Sequence, residues 1–539
     1  MKLANLSLLI VQLMTPAALA GELIVTSVEP SLNMLNAPLD SAIVVHFDQA
    51  VQRGSITAAS FWAFGRWSGT VSGSFSFSDG DQTVTLTPDQ PFSAGETVMV
   101  ILSHDILAAG GASLRSAGFC FQFWTESLAA TLQFDEIDTL STRTIPSQTT
   151  RSYGGVASDL NGDRYLDLAI INEDSADVRV FLNLADGSGL FDDFLVPPSS
   201  VNFQASPNEP ADFNRDGNVD LCVANISTSS VSILLGNGDG TFQPQQEITV
   251  GSGPRGIAVV DADGDGDLDI ANTNSNSGNI SLLFNDGNGV FGAPQFYEGG
   301  GAGEWALGAA DMNNDGILDL VIGTSDSQEI LVNLGNGDGT FTPTSNAPAL
   351  GRSWMLVLGD VNGDGNVDVS TANSTSNNGA ILLGDGNGSL MGGTSYGTDP
   401  FPLATDLGDL DGDGDLDWIL ASFNGDWRLF TNDGQGVFQF LQEFPAPDAA
   451  SCSLMMDFDN DGDLDLALID ELEDVVILMQ QQGPIVPEFV RGDCNQDDMV
   501  DIADSIFTFN YLFVQGSREP GCDDACDMND DGDVDIADG

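Results

Sequence analysis

The sequence predicts an all-β fold: a seven-bladed β-propeller preceded by a β-sandwich, with a small α-helical module of EF-hand-like loops at the C-terminus. Three observations predict it. A nine-residue acidic pattern, Asp-x-Asp/Asn-x-Asp-x-x-x-Asp, begins at Asp159, Asp212, Asp261, Asp311, Asp360, Asp409 and Asp457, with successive gaps of 53, 49, 50, 49, 49 and 48 residues. That period suits one propeller blade per copy. The stretch ahead of the first copy alternates apolar and polar residues without any such loop, and two acidic loops of a different length follow the last copy.

With 539 residues, the chain is long enough for several domains, and 42% hydrophobic residues can build their cores. Fourteen Lys and Arg stand against 81 Asp and Glu, a formal net charge of -67. Such an excess repels polyphosphate, so nucleic acid is excluded as a partner and cations are the natural counterparts.

Residues 1–20 read as a signal peptide: Lys2, an apolar run from Leu6 to Met14, then Pro16 and the small-residue site at Ala18 and Ala20. The expected location is secreted or at the cell surface, with no transmembrane segment in the mature chain. From 21 to 128, alternating runs at Ala42 to Phe47, Thr83 to Thr87, Thr97 to Leu102 and Phe119 to Trp124 predict a β-sandwich. His46 and His104 both fall here and read as strand residues. Cys120, Cys222 and Cys452 each sit in apolar runs as core residues, whereas the pairing of Cys494, Cys522 and Cys526 is open.

From 129 to 487 the repeat sets the architecture. Each acidic loop leads into an apolar run (Leu166 to Ile171, Leu268 to Ala271, Leu318 to Ile322), then a second (Val231 to Leu235, Ile330 to Leu334) ending in a turn such as Gly236-Asn-Gly-Asp-Gly-Thr-Phe242. Asn-Gly and Asp-Gly steps supply the positive φ of tight hairpins, so each unit offers about four short strands. The seventh unit lacks this turn after Val475 to Met479, and Ala130 to Ile137 is suited to supply its outer strand and close the ring.

Alternate oxygens in a tight loop converge on one point, which suits a hard cation with six to eight oxygen ligands, Ca²⁺ above all. The first loop offers Asp159, Asn161, Asp163, Tyr165 and Asp167; the second Asp212, Asn214, Asp216, Asn218 and Asp220; the third Asp261, Asp263, Asp265, Asp267 and Asp269. The fourth offers Asp311, Asn313, Asp315, Ile317 and Asp319; the fifth Asp360, Asn362, Asp364, Asn366 and Asp368; the sixth Asp409, Asp411, Asp413, Asp415 and Asp417; the seventh Asp457, Asp459, Asp461, Asp463 and Asp465. Position seven varies freely, as expected of a backbone carbonyl ligand. Arg164 replaces the turn glycine of the first loop.

These seven motifs, from Asp159-Leu-Asn-Gly-Asp to Asp457-Phe-Asp-Asn-Asp-Gly-Asp-Leu-Asp465, with Gly-Asn-Gly-Asp-Gly-Thr-Phe between them, resemble the FG-GAP/VCBS repeats. The resemblance implies the calcium-loop propeller of integrin α-subunit heads and about seven bound Ca²⁺. It leaves the role open among adhesion, lectin-like and enzyme-attached modules. The order Val28-Glu-Pro, Val44-Val-His-Phe-Asp, Thr85-Leu-Thr-Pro and Phe121-Gln-Phe is similar to the bacterial Ig-like domain of the SbsA type, which implies a spacer.

At 488–539, Asp493, Asn495, Asp497, the Met499 carbonyl, Asp501 and Asp504 occupy positions of a twelve-residue calcium loop ahead of Ser505 to Val514, a candidate helix. A second copy holds Asp527, Asn529, Asp531, the Asp533 carbonyl, Asp535 and Asp538, and both carry Asp-Ile-Ala-Asp. Paired loops of this kind resemble a type I dockerin, which implies up to two more Ca²⁺ and a cohesin-bearing partner protein. No helix follows the second loop before Gly539, so the expectation is an incomplete module of weak affinity.

No nucleophile elbow, histidine metal cluster or phosphate loop is legible in the repeat region, so no catalytic residue is assigned. Six residues before each loop stand Tyr153, Ser206, Arg255, Trp305, Trp354, Leu403 and Ser451. Tyr153, Arg255, Trp305 and Trp354 are the candidate ligand-binding set, as an arc at one mouth of the ring, with packing between blades as the competing explanation. The expected function is non-catalytic binding of glycan or protein. The alternatives are a polysaccharide-degrading enzyme, hydrolase or lyase, of a dockerin-cohesin assembly, and a structural surface protein.

Overall fold

The computed structural model describes residues 21–192 and 195–483. The expected signal segment at 1–20 and the expected paired calcium loops beyond 488 lie outside them. Among the described residues the protein is all-β, with a single 3₁₀ turn at Arg53–Ser55. No helix there is long and apolar enough to cross a membrane.

The N-terminal part is a sandwich of two four-stranded sheets. One orders Val25–Glu29, Ile43–Phe47, Thr83–Pro88 and Gly73–Ser78; the other orders Gly69–Thr70, Phe61–Gly65, Thr97–Leu102 and Phe119–Trp124. Alternation does the work expected of it: Ile43, Val45 and Phe47 face the sandwich core, while His46 between them hydrogen-bonds through Nδ1 to the Thr83 hydroxyl at 2.9 Å. Phe119–Trp124 is different, being buried at every position. Phe119, Phe121 and Phe123 enter the sandwich core, whereas Cys120 and Trp124 join clusters formed by the repeats. A strand covered on both faces is mostly apolar on both, and this one, apolar except at Gln122, is covered because the sandwich lies against the repeats.

The repeats form seven four-stranded antiparallel sheets, the first running Ser152–Ser158, Asp167–Asn172, Asp177–Phe181 and Ser199–Ser200. The second strand of each sheet is buried throughout; it is apolar from Leu168 to Ile171 in the first sheet, but buries Asn272 and Thr273 in the third and Ser370 and Thr371 in the fifth. The last sheet is completed from the other end of the region: Val475–Gln481 pairs with Phe134–Ser141, in register Val475 to Ser141 and Met479 to Glu136. The closing strand was expected at Ala130 to Ile137; it starts and ends four residues later. First strands touch in succession, and Ala450–Met456 returns to touch Ser152–Ser158, so the seven inner strands form a closed cycle around a central channel. Every acidic loop follows the end of an inner strand, and all seven therefore gather at one mouth of that channel.

The sandwich was expected to be a spacer; instead it is docked across that mouth and touches every loop. The Asp159 amide donates to the Trp67 carbonyl (2.8 Å), and the Thr70 hydroxyl donates to Asp212 (2.7 Å). The Trp62 indole donates to Gly266 O (3.0 Å), the Cys120 amide to Gly316 O (2.8 Å) and the Asn33 amide group to Gly365 O (3.0 Å). The Ser127 hydroxyl donates to Asp409 O (2.7 Å) and the Leu128 amide to Gly462 O (2.8 Å). Glycine permits this approach. A Cβ on Gly264, whose φ is +76°, would stand 2.4 Å from the Ala117 backbone, and one on Gly316 would enter the Phe119 ring.

Candidate functional site

In each loop the position-one carboxylate organises the turn. Asp212 accepts the amides of Asp216 (3.1 Å) and Gly217 (2.9 Å), and Asp360 accepts those of Asp364 (3.2 Å) and Gly365 (2.7 Å). Position six is left-handed in every copy, from φ +74° at Arg164 to +96° at Gly462, so Arg164 adopts the conformation its glycine counterparts take freely.

Position nine opens the second strand, and its carboxylate spans two elements. Asp319 accepts the Met312 amide within its loop (2.9 Å) and the Gly335 amide at the end of the third strand (2.7 Å). Asp167, Asp220, Asp269, Asp368, Asp417 and Asp465 repeat this arrangement. Position seven also has work for its side chain where it is polar: Asp267 pairs with Arg215 of the preceding loop, and Asn366 accepts from Asn314 (2.9 Å).

The donor set suits a hard divalent cation. Ligand oxygens of Asp261, Asp263 and Asp265 lie within 4.8 Å of one another, as do those of Asp409, Asp411 and Asp413 and those of Asp457, Asp459 and Asp465. Asp263, Asp415 and Asp463 each bury a carboxylate oxygen that has no hydrogen-bond partner. Burial first, and crowding by like charges with it, pushes Asp319 up to about 9, Asp220 and Asp417 to about 8 and Asp457 to about 7, while Asp261 rises well above the carboxylate range. A cation among such groups reverses that balance by favouring their ionised forms.

At the opposite mouth, four inner-strand side chains meet. The rings of Trp305 and Trp354 are 4.6 Å apart at 44°, and the Arg255 guanidinium lies 4.1 Å from the first centroid and 5.7 Å from the second. The Trp354 indole donates to the Tyr153 hydroxyl at 2.5 Å, which joins the fifth sheet to the first, and its ring packs on Phe401 at 5.1 Å. The four are half-buried. They converge on one another instead of lining an open arc, and Ser206, Leu403 and Ser451 at the same register are buried. Glu173 and Glu471, both buried, share Arg151 at 3.4 and 2.6 Å on this side of the ring. Burial lifts Glu173 to about 7, with Arg151 opposing and Glu471 adding to the rise.

Between the mouths lies a cavity of about 330 Å³, lined by all seven inner strands and by the sandwich. Arg66 of the sandwich reaches into it and pairs with Glu209 at 2.8 Å. Asp406, which also lines it, accepts the Met455 amide at 3.2 Å and is lifted to about 6 by burial. Sequence reasoning missed this set, although a count would have found it: Glu209 and Asp406 both stand three residues before their loops, where the other five copies carry Val156, Ala258, Gly308, Val357 and Leu454.

Two expectations follow from these contacts. Asp319→Ala orphans two buried amides and should lower stability by about 3 kcal/mol in denaturant titration. For Glu173 the folded value lies above the ordinary 4.5, so its stabilising neutral form is fully present below about 4.5 and lost as pH rises through about 7. Glu173→Gln should therefore gain on the order of 1 to 3 kcal/mol over the natural chain at pH 8 and almost nothing at pH 5, checked by melts at both values.

Comparison with known proteins accords with this geometry. Residues 21–125 match a bacterial Ig-like domain. Among solved structures, the chain is similar to BBS1N, crystallised in complex with ARL6DN, at 13% identity and TM-score 0.46, covering 66% of this chain and 98% of that one. It is also similar to an Agrocybe aegerita lectin specific for non-reducing terminal N-acetylglucosamine, at 17% identity and TM-score 0.41, covering 80% and 98%. A protein from Lactobacillus plantarum is similar at 13% identity and TM-score 0.43, covering 73% and 98%. No curated protein matches. Six overlapping segments, 159–223, 212–272, 263–322, 311–371, 360–420 and 409–468, match the FG-GAP-like repeat and together span more than half of the sequence; the chain belongs to that family.

Proposed function

We propose that this is an exported, calcium-loaded, seven-bladed β-propeller that binds glycan or protein without catalysis and is tethered through a dockerin at 488–539 to a cohesin-bearing partner. Seven four-stranded sheets in a closed cycle support the blade count, and seven oxygen-rich loops support one Ca²⁺ in each. The observation that carries the binding reading is the Tyr153, Arg255, Trp305 and Trp354 cluster. It stands at the mouth that the sandwich leaves uncovered, and stacked indoles offer broad apolar faces with polar edges to a sugar ring or a partner side chain.

The enzymatic alternative has one specific support, the two carboxylates Glu209 and Asp406 facing the channel. Against it, Arg66 already engages Glu209 and the sandwich covers the loop mouth. Release of reducing ends or unsaturated products from plant or algal polysaccharides would favour the enzyme.

A glycan array probed with the full chain, followed by Trp305→Ala, tests the binding reading. Trp305 is half-buried, so its truncation should cost only about 1 kcal/mol while abolishing retention on any glycan found. Trp354→Ala, which also forfeits the Tyr153 hydrogen bond and the Phe401 contact, should cost about 3 kcal/mol. Undiminished binding by Trp305→Ala would remove this cluster as the site.

A further inference from the structure

We propose that the Ig-like sandwich is a metal-dependent cap: cations in the acidic loops and the docked sandwich favour each other, so loading the loops closes one mouth of the channel and emptying them loosens it. The proposal rests on the calcium reading of the loops and adds to it a coupling between two parts of the chain.

The contacts are in register with the repeat. Four of the acceptors facing the sandwich, Gly266 O, Gly316 O, Gly365 O and Gly462 O, are the position-six carbonyls of the third, fourth, fifth and seventh loops. Position six lies between the ligand positions five and seven, so the loop conformation that presents this carbonyl to the sandwich is the one that converges oxygens on a cation. Close backbone approach at Gly264 leaves little room for the loop to take another path.

Electrostatics point the same way. The sandwich covers crowded acids: Asp212, Asp261, Asp311 and Asp360 are at most 4% exposed. The third loop brings oxygens of Asp261, Asp263 and Asp265 within 4.8 Å of one another, with one Asp263 oxygen buried and unpartnered. Laying a protein face over uncompensated carboxylates costs desolvation and keeps their repulsion unscreened. A divalent ion offsets both. Linkage is reciprocal, so whatever factor the ion adds to docking, docking adds to ion affinity. The first loop, whose Asp159 is half-buried and meets the sandwich only through its amide, should feel the coupling least.

Two full-length variants test the coupling without removing any loop oxygen. Trp62→Phe keeps the ring but loses the donor to Gly266 O, and Thr70→Val keeps the shape but loses the donor to Asp212. Calcium titration by calorimetry should show the affinity of part of the sites reduced at least about threefold in each, while Arg53→Gln, which breaks an exposed pair with Asp81 on the sandwich, changes nothing. Small-angle X-ray scattering of the natural chain should show a larger maximum dimension in EGTA than in Ca²⁺, with the far-ultraviolet β signal retained. Unchanged calcium affinity in both donor variants, or unchanged scattering once dialysis has emptied the loops, overturns the coupling and leaves the calcium reading standing. A chain that binds no Ca²⁺ at all overturns both.

Discussion

Carboxylates at the ends of buried strands need something positive, or something that donates, and this protein is arranged around meeting that need seven times over. Positions one and nine of each loop are held by backbone amides, which orient them without neutralising them. Positions three and five accept loop amides too, as Asp411 does from Asp413 and Asp413 from Asp415, and in the third and sixth loops they crowd position one within a few ångströms without being neutralised. With 14 basic residues for 81 acidic ones, side-chain cations cannot fill the role. Most basic side chains in the described region are already paired elsewhere, as with Arg66 and Glu209 or Arg151 and Glu471. A divalent ion per loop, as proposed above, would meet that need.

That constraint organises the rest. Because each loop ends an inner strand, the seven acid clusters collect at one mouth of the channel, and the sandwich lies over them. The other mouth is left to Tyr153, Arg255, Trp305 and Trp354, which no loop geometry requires. Arg255 has no carboxylate partner among the described ion pairs and rests on indole faces instead, so its charge is held by ring quadrupoles at the entrance of an otherwise acidic molecule.

The ring was legible because its determinants are local and repeated. The Asp pattern, the Asn-Gly and Asp-Gly turns and the apolar runs each recur, and the N-terminal origin of the strand that closes the last sheet was recognisable, although it lies four residues beyond Ala130 to Ile137 and pairs Ser141 with Val475. What was illegible was long-range. Nothing in Phe119-Cys-Phe-Gln-Phe-Trp124 says which neighbour covers its second face, although Cys120 and Trp124 on that face are apolar and only Gln122 is not. The convergence of Tyr153 on Trp354 joins side chains 201 positions apart and could not follow from their shared register. Glu209 and Asp406 lie outside the acidic loops, in a register that is apolar or glycine in the other five copies, so the repeat does not signal them.

The central claim is that the folded ring depends on cations in those loops. Thermal unfolding of the full chain, followed by circular dichroism in excess Ca²⁺ and again after EGTA, tests it directly. The expected result is a fall in melting temperature of about 10 °C or more on chelation, restored by added Ca²⁺. Coincident melts in the two conditions would contradict it, and would mean that the seven acid clusters are held together by the protein alone.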